Sequence, residues 1–402
     1  MSTSSLIKEI IVETVLHGRQ NNQCWFSPDL AVIPRDEADA PPEVFIGVSQ
    51  LVGNDMGTSH WIRTTDLGKR WTAPMESQNL LGVPRDDHFF EKPKVNLFYH
   101  AHTDRLLGIG STHFSRDEGT HTGFKMEKID SEGQCSLPNR MIMTEWDFSH
   151  NDFVPWWTIS LPDALERWHR VAWPRAQFEF SDGSVLVPLY LRETAEDPYT
   201  AVAVMHAEIT DGGFVCRDIG NLLRVDTHRG LAEPSVVHFE DRFLLTIRHD
   251  KRAYVTTSDD GIHYGDLLPW RFDDGAELGN YNTQQHWLAH GGALFLLYNR
   301  RSELNNGVFR CRAPLYMARV DPERLCVIRA SEQIVFPEKG ARMGNFDVAN
   351  VTDDEAWVVT GEWLEGMVEG MCEGDRFYVP DHANMNRIQY IGDLLLGRIV
   401  FQ

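Results

Sequence analysis

Long apolar runs are missing from this 402-residue chain. The longest, Val185 to Leu191 and Ala293 to Tyr298, are strand-sized, far short of the roughly 20 residues with which a helix crosses a bilayer. Cysteine is sparse and scattered. Cys24, Cys135, Cys216, Cys311, Cys326 and Cys372 form no CxxC pair, which argues against a zinc site and against a small disulfide scaffold. Positive charge is in deficit: 38 Lys and Arg stand against 59 Asp and Glu, a net charge of −21. A surface of that sign repels phosphate backbones and anionic lipids, so neither nucleic acid nor membrane is an expected partner. The start, Met1-Ser2-Thr3-Ser4-Ser5-Leu6-Ile7-Lys8, has no basic stretch leading into an apolar one. The expectation is a cytoplasmic protein with reduced thiols. Helical periodicity is nearly absent too, with Leu161–His169 as the one short candidate.

What is present is a repeated strand pair. A strand of about six residues, a polar turn and a more apolar strand recur as Trp25–Ile33 with Glu43–Val48, Lys94–Ala101 with Arg105–Gly110, Arg175–Phe180 with Ser184–Tyr190, Glu233–Phe239 with Arg242–Arg248, Thr283–His290 with Ala293–Asn299, and Asn345–Val351 with Glu355–Glu362. The first strands are 50 to 81 residues apart, room for a four-stranded sheet with its loops. Further pairs follow, such as Ala201–Ile209 with Gly213–Cys216. The expected fold is all-β: a six-bladed β-propeller forming a single domain over residues 1–402. Ile7–Val15 and Leu394–Phe401 both read as strands, and a blade built from both ends would close the ring and remove an open edge. A seventh blade around Phe153–Leu161 is the alternative, and a pair of separate β domains is the competing architecture.

Two turns are more specific. Thr64-Thr65-Asp66-Leu67-Gly68-Lys69-Arg70-Trp71 and Thr257-Ser258-Asp259-Asp260-Gly261-Ile262-His263-Tyr264 fit Ser/Thr-x-Asp-x-Gly-x-x-aromatic, in which a carboxylate caps backbone N–H groups and glycine permits a left-handed turn. They resemble the Asp boxes of the sialidase-like, or BNR-repeat, propeller superfamily, where they are structural. Glu233-Pro234-Ser235-Val236 through Arg248 looks like the sialidase segment carrying a buried Glu and a carboxylate-binding Arg. Three departures stand beside the match. Trp25-Phe26-Ser27-Pro28-Asp29 has no Arg where sialidases have an Arg-Ile-Pro-like strand. Thr283-Gln284-Gln285-His286-Trp287 lacks the later Arg. Phe346 stands in place of the Tyr nucleophile. In residue type the polar inventory resembles more closely the rhamnosidases and uronate lyases of that superfamily.

Propeller geometry places first-strand starts and second-strand ends at one mouth of the channel. This groups Lys94, Asn96, Arg175, Glu233, Gln284, His286, Asn345 and Asp347 with His113, Tyr190, Arg192, Arg248, His249, Arg300, Arg301 and Glu362. Asn54, Asp55 and His60 lie on the first such loop. Arginines gathered at the mouth of an acidic chain suit an anionic ligand group such as a uronate, through the bidentate guanidinium fork, or else pair internally with Glu233, Asp347 or Glu362. His286 sits in the polar run Asn282–His286, where a core strand should be apolar, and suits general acid/base work. His286, Glu233 and Arg248 are the expected catalytic group. Arg175, Tyr190, Gln284, Arg300, Arg301, Asn345, Asp347 and Glu362 are the expected substrate contacts. His100 and His102 share a strand face and suggest a metal only weakly; neither metal nor cofactor is expected. The loop Trp363 to Pro380 reads as a lid or as a contact in a homo-oligomer. The function expected is an exo-acting glycoside hydrolase on uronate-containing oligosaccharides. The alternatives are a β-eliminating lyase on the same substrates and a non-catalytic glycan-binding propeller.

Overall fold

Six antiparallel sheets succeed one another along the chain, and the fold is a six-bladed β-propeller. The first sheet runs Trp25–Ile33, Glu43–Gln50, Thr58–Thr64, Met75–Glu76. The second is centred on Phe89–His100, Arg105–Arg116 and Met141–Asp147, and the third on Ser184–Arg192, Ala201–Thr210 and Gly213–Ile219. The fourth runs Leu231–Phe239, Arg242–His249, Tyr254–Ser258, Leu268–Pro269, and the fifth His286–His290, Ala293–Tyr298, Leu315–Asp321, Cys326–Val327. The sixth joins both ends of the chain in the order Ile7–Leu16, Leu394–Phe401, Glu355–Gly361, Phe346–Thr352. This computed structural model describes residues 6–35, 40–51, 57–86, 89–116, 124–125, 138–166, 168–172, 177–305, 308–367 and 388–402. Among these, no helix is long and apolar enough to cross a membrane.

The repeat predicts most hairpins, with shifts at their starts. The second first-strand begins at Phe89 rather than Lys94, and the fifth at His286 rather than Thr283. In the third sheet two short pieces, Arg170–Ala172 and Phe178–Glu179, both pair with Ser184–Arg192. The seventh blade is not formed. Asp152–Phe153 and Trp157–Thr158 each pair with Met141–Asp147 and so extend the second sheet. The expected helix is one turn, Asp163–Glu166.

The chain forms two compact units, one of Met1–Glu76, Arg271–Thr283 and His290–Gln402, the other of Ser77–Trp270 and Gln284–Ala289. In the first, Val44, Ile46 and Ile62 pack with Trp357, Val359, Leu394 and Leu396, and the register Ile7↔Phe401 through Leu16↔Leu394 ties the two ends of the chain into one sheet. In the second unit, Leu107, Ile109 and Met143 meet Val185, Val187 and Leu189. The opposite side of the same strand, through Leu186 and Tyr190, meets Leu231, Val236 and Leu245. The apolar runs are these twice-covered second strands: every residue from Ser184 to Leu191 is buried, and so is every residue from Ala293 to Tyr298.

The two capped turns form, with one correction of register. In the first, Asp66 Oδ1 accepts the Arg70 N–H at 3.0 Å and the Thr64 hydroxyl at 2.9 Å. Gly68 is left-handed at φ +78°, and the Trp71 ring lies 6.0 Å from that of Trp357. The Arg70 guanidinium, then its N–H, bring the Asp66 carboxyl down to about 2. In the second turn the cap is Asp260, not Asp259. Its Oδ1 accepts N–H bonds from Ile262 at 2.9 Å and His263 at 2.8 Å and the Ser258 hydroxyl at 2.8 Å. The serine-to-aromatic span is one residue shorter there, so the acidic residue that faces the turn is the later of the two. Partial burial opposes ionisation of Asp260, but the His263 N–H and ring, the Ile262 N–H and the Ser258 hydroxyl outweigh it and hold the carboxyl below its ordinary range.

A carboxyl depressed on folding stabilises the fold above its unfolded value, and that contribution fades as pH falls towards the folded one. Asp260→Asn, which keeps an accepting oxygen but loses the charge, is therefore expected to destabilise the fold by about 1 kcal/mol or less at neutral pH, with the gap to wild type closing below about pH 4. Asp259→Asn is expected to change little. Urea melts of both variants at neutral and acid pH test this, and equal losses would return the cap to Asp259.

Candidate functional site

The strand Leu231–Phe239 is bent where the chemistry is expected. Its ladder pairs Ala232 with Arg248 and then Ser235 with Thr246, so Glu233 and Pro234 together face Ile247 alone. This is a β-bulge. Pro234 has no N–H for the ladder. Glu233 takes the left-handed region at φ +45°, a conformation that costs a non-glycine residue about 1 kcal/mol or more. The bulge aims Glu233 at the strand's own partner: Arg248 Nη1 donates to Glu233 Oε2 at 2.6 Å. The side chains are 11% and 25% exposed, Arg248 the deeper.

The same construction appears in the other unit. Ser27 at φ +51° precedes Pro28, and the ladder jumps from Phe26↔Ser49 to Asp29↔Gly47. There the Ser27 hydroxyl accepts from Asn345 Nδ2 at 3.4 Å. A Cβ on Gly47 would collide with the buried Asp29 carboxylate. A residue followed by proline at a first-strand start was the sequence signal for both bulges, and a strand-pattern reading passes over it. Lys92-Pro93 in the second sheet pairs without a jump.

Thr283, Gln284, Gln285 and His286 are all buried, at 0 to 3% exposure, at or just before the start of their strand. The residues alternating with His286 bond to the fourth sheet. Gln285 Oε1 accepts from the Thr246 hydroxyl at 3.1 Å, and Trp287 Nε1 donates to the Ser235 carbonyl at 2.9 Å. Thr246 stands two residues before Arg248, and Ser235 two after Glu233. The polar run with His286 is thus fastened to the pair of strands that presents the ion pair.

Several of the expected ligand contacts also have partners within the chain. Arg300 spends its fork on Glu332, donating from Nε at 2.8 Å and Nη2 at 2.6 Å, and gives Nη1 to the Arg301 carbonyl at 2.9 Å. Neither Asp347 nor Glu362 is its partner. Glu362 takes Arg19 in a bidentate pair at 2.7 and 2.6 Å. Tyr190 packs in the apolar cluster with Leu186, Val202 and Val236. Asp347 accepts the Leu30 N–H at 3.0 Å. Arg301 is exposed, its guanidinium 3.9 Å over the Tyr281 ring. Arg175, Asn54, Asp55 and most of the Trp363–Pro380 loop lie outside the described residues.

His100 is structural, one ring nitrogen against the Thr103 hydroxyl at 2.6 Å and the other against the Gly183 carbonyl at 2.8 Å. Among the described residues no three His, Cys, Asp or Glu are grouped to hold a metal. Burial pushes the Cys24 thiol far up, so it is no nucleophile. Sequence reasoning missed Arg342, stacked 3.7 Å over Trp363. Arg312 is 8% exposed and donates from Nη2 to the Asn282 carbonyl at 2.8 Å. It is packed where a Cβ on left-handed Gly344 would crowd it.

No protein-family model and no curated protein matches the sequence. Solved structures do match in shape. A protein of unknown function from Dyadobacter fermentans aligns over 97% of this chain and 99% of its own with TM-score 0.60 and 12% identity. The NanB sialidase of Streptococcus pneumoniae aligns over 100% and 71%, with TM-score 0.59 and 9% identity. The leech intramolecular trans-sialidase, complexed with 2,7-anhydro-Neu5Ac, aligns over 97% and 70%, with TM-score 0.58 and 12% identity. Identities this low speak for architecture, and the architecture of this chain is that of the sialidase-type β-propellers.

Proposed function

We propose that this protein is a carbohydrate-active enzyme, an exo-acting glycoside hydrolase on uronate-containing oligosaccharides, working as one propeller domain in the cytoplasm. The observation that carries the reading is the bulge that drives Glu233 onto Arg248, with His286 fastened to the same two strands. A guanidinium offers five donors in a planar fork, so Arg248 can keep Glu233 on Nη1 while meeting a ligand carboxylate. Glu233 orients that fork. His286 is the general acid/base, with Gln284 beside it as a substrate contact. In hydrolysis the acid delivers a proton to the leaving glycosidic oxygen while water, giving its proton to a base, attacks the anomeric carbon. Arg301, Asn345 and Asp347 are proposed as ligand contacts in their own unit. The likeness to sialidases, which are glycoside hydrolases on an acidic sugar, supports this class.

One observation favours the lyase alternative. Phe346 is fully buried and has no hydroxyl, so the nucleophile implied by the sialidase resemblance is absent from that position. No glycosyl-enzyme intermediate can form on that residue, and neither direct attack by water nor β-elimination needs one. In the latter, a base takes the proton on the carbon beside the carboxylate. The electron pair becomes a double bond, and the glycosidic oxygen leaves with a proton.

A screen of acidic oligosaccharides with product mass spectrometry is expected to find release of a terminal sugar with gain of water. Products lacking that water and absorbing in the ultraviolet would establish elimination instead. Binding without any product would reduce the site to glycan recognition. On the active substrate, His286→Ala is expected to lower kcat about 10²–10⁴-fold. Arg248→Lys is expected to weaken kcat/KM because an ammonium cannot reproduce the fork, and exposed His102→Ala is expected to leave turnover close to wild type. Full activity in the His286 variant would move the chemistry elsewhere.

A further inference from the structure

Behind His286 and Arg248 lies a chain of buried polar groups that no solvent reaches. Thr246 and Gln285 are 0% exposed and Trp270 is 1% exposed. Trp270 Nε1 stands 2.9 Å from the Thr246 hydroxyl oxygen, which in turn stands 3.1 Å from Gln285 Oε1. An indole N–H can only donate, so Thr246 accepts from Trp270 and has its single proton left to give. Gln285 Oε1 is nearer to that hydroxyl than the other acceptor in reach, the Tyr254 carbonyl at 3.5 Å. The chain runs from indole through hydroxyl to amide oxygen, with the Gln285 oxygen towards Thr246 and its NH₂ away from it. The Trp270 ring is packed against that of Trp287, centroids 5.6 Å apart and planes tilted by 55°.

Such a chain is an unusual choice for a sheet interior. Apolar residues of the same shape would avoid the desolvation of three polar groups, whereas a fully connected polar chain fixes one arrangement. The arrangement it fixes joins one residue adjoining His286 to the residue two before Arg248. We propose that Thr246 and Gln285 are positioning residues, a buried relay that sets the register of the His286 segment against the strand bearing Arg248. Neither touches a ligand. Their effect is to hold the imidazole where the guanidinium presents a bound carboxylate, and to resist a slip of the polar segment before its strand begins. The inference rests on reading His286 and Arg248 as site residues, but its test does not depend on catalysis.

The test follows the ring C–H signals of the full-length protein carrying ¹³C-labelled histidine, with His286 assigned by its loss in His286→Gln. Thr246→Val, which has no hydroxyl to donate, and Gln285→Met, which removes the amide oxygen without adding charge, are expected to shift the His286 signal and leave that of His100 in place. Thr246→Ser, which keeps the hydroxyl, is expected to restore it. Thr256→Val is the control, since Thr256 is buried in the same sheet and is expected to lower the melting temperature without moving His286. The relay is overturned if the Thr246 and Gln285 variants move His286 no further than Thr256→Val does, or if serine fails to restore the signal. Should Thr246→Val not fold, Gln285→Met and Thr246→Ser decide alone. A shifted His286 signal in a protein that turns over no glycan would leave the relay standing and remove the proposed catalysis.

Discussion

A strand that is buried on both faces cannot stand alone, and this constraint organises the molecule. Every residue from Ser184 to Leu191 is buried, and so is every residue of Glu355–Gly361. Removing such strands from water is the main favourable term in folding a β protein, at about 25 cal/mol per Å² of apolar surface. Each therefore demands a neighbouring sheet on either side. Within the second unit, Val185, Val187 and Leu189 turn one way to Leu107 and Met143, while Leu186 and Tyr190 turn the other way to Leu231 and Leu245. In the fourth sheet the first strand carries less of this burden than the second, and there the chain tolerates proline and a left-handed residue.

That division of labour explains which parts were legible in the sequence. Second strands announce themselves as apolar runs between turn residues, so the six-sheet repeat and the pairing of Ile7–Leu16 with Leu394–Phe401 were within reach. First strands do not. Their starts at Phe89 and His286 and the broken first strand of the third sheet follow from local pairing and bulges, which residue type encodes weakly. The one-residue difference between Asp259 and Asp260 turned on which carboxylate faces two N–H groups. Asp259 fits the spacing of the motif, and Asp260 fits the turn.

The candidate site was half legible for a different reason. Glu233 and Arg248 sit at the ends of one hairpin, so their meeting could be expected from the ladder. Glu362 meets Arg19 across 343 positions of sequence, and Arg300 meets Glu332 across 32. Pairs of that kind depend on where loops deliver a side chain, and no spacing rule holds them. Residues that looked like a collective cationic rim are in part the chain's own counter-ions. The proposed site rests on a smaller group, built on backbone strain at Glu233 and on a buried polar segment, features on which chemistry commonly resides.

In the sixth sheet, Leu394–Phe401 is an interior strand, lying between Ile7–Leu16 and Glu355–Gly361. It leaves the ribosome after every other strand described here, yet two earlier strands need it as their common partner. Until it arrives, Ile7–Leu16 has no ladder to join and must stay unpaired through synthesis of the intervening chain, an exposed edge of the sort that invites association with other chains. Contacts of such long sequence separation make for slow final assembly. Once the last strand is in place the first is locked, and both ends of the described chain leave the list of places where unfolding can begin by simple fraying.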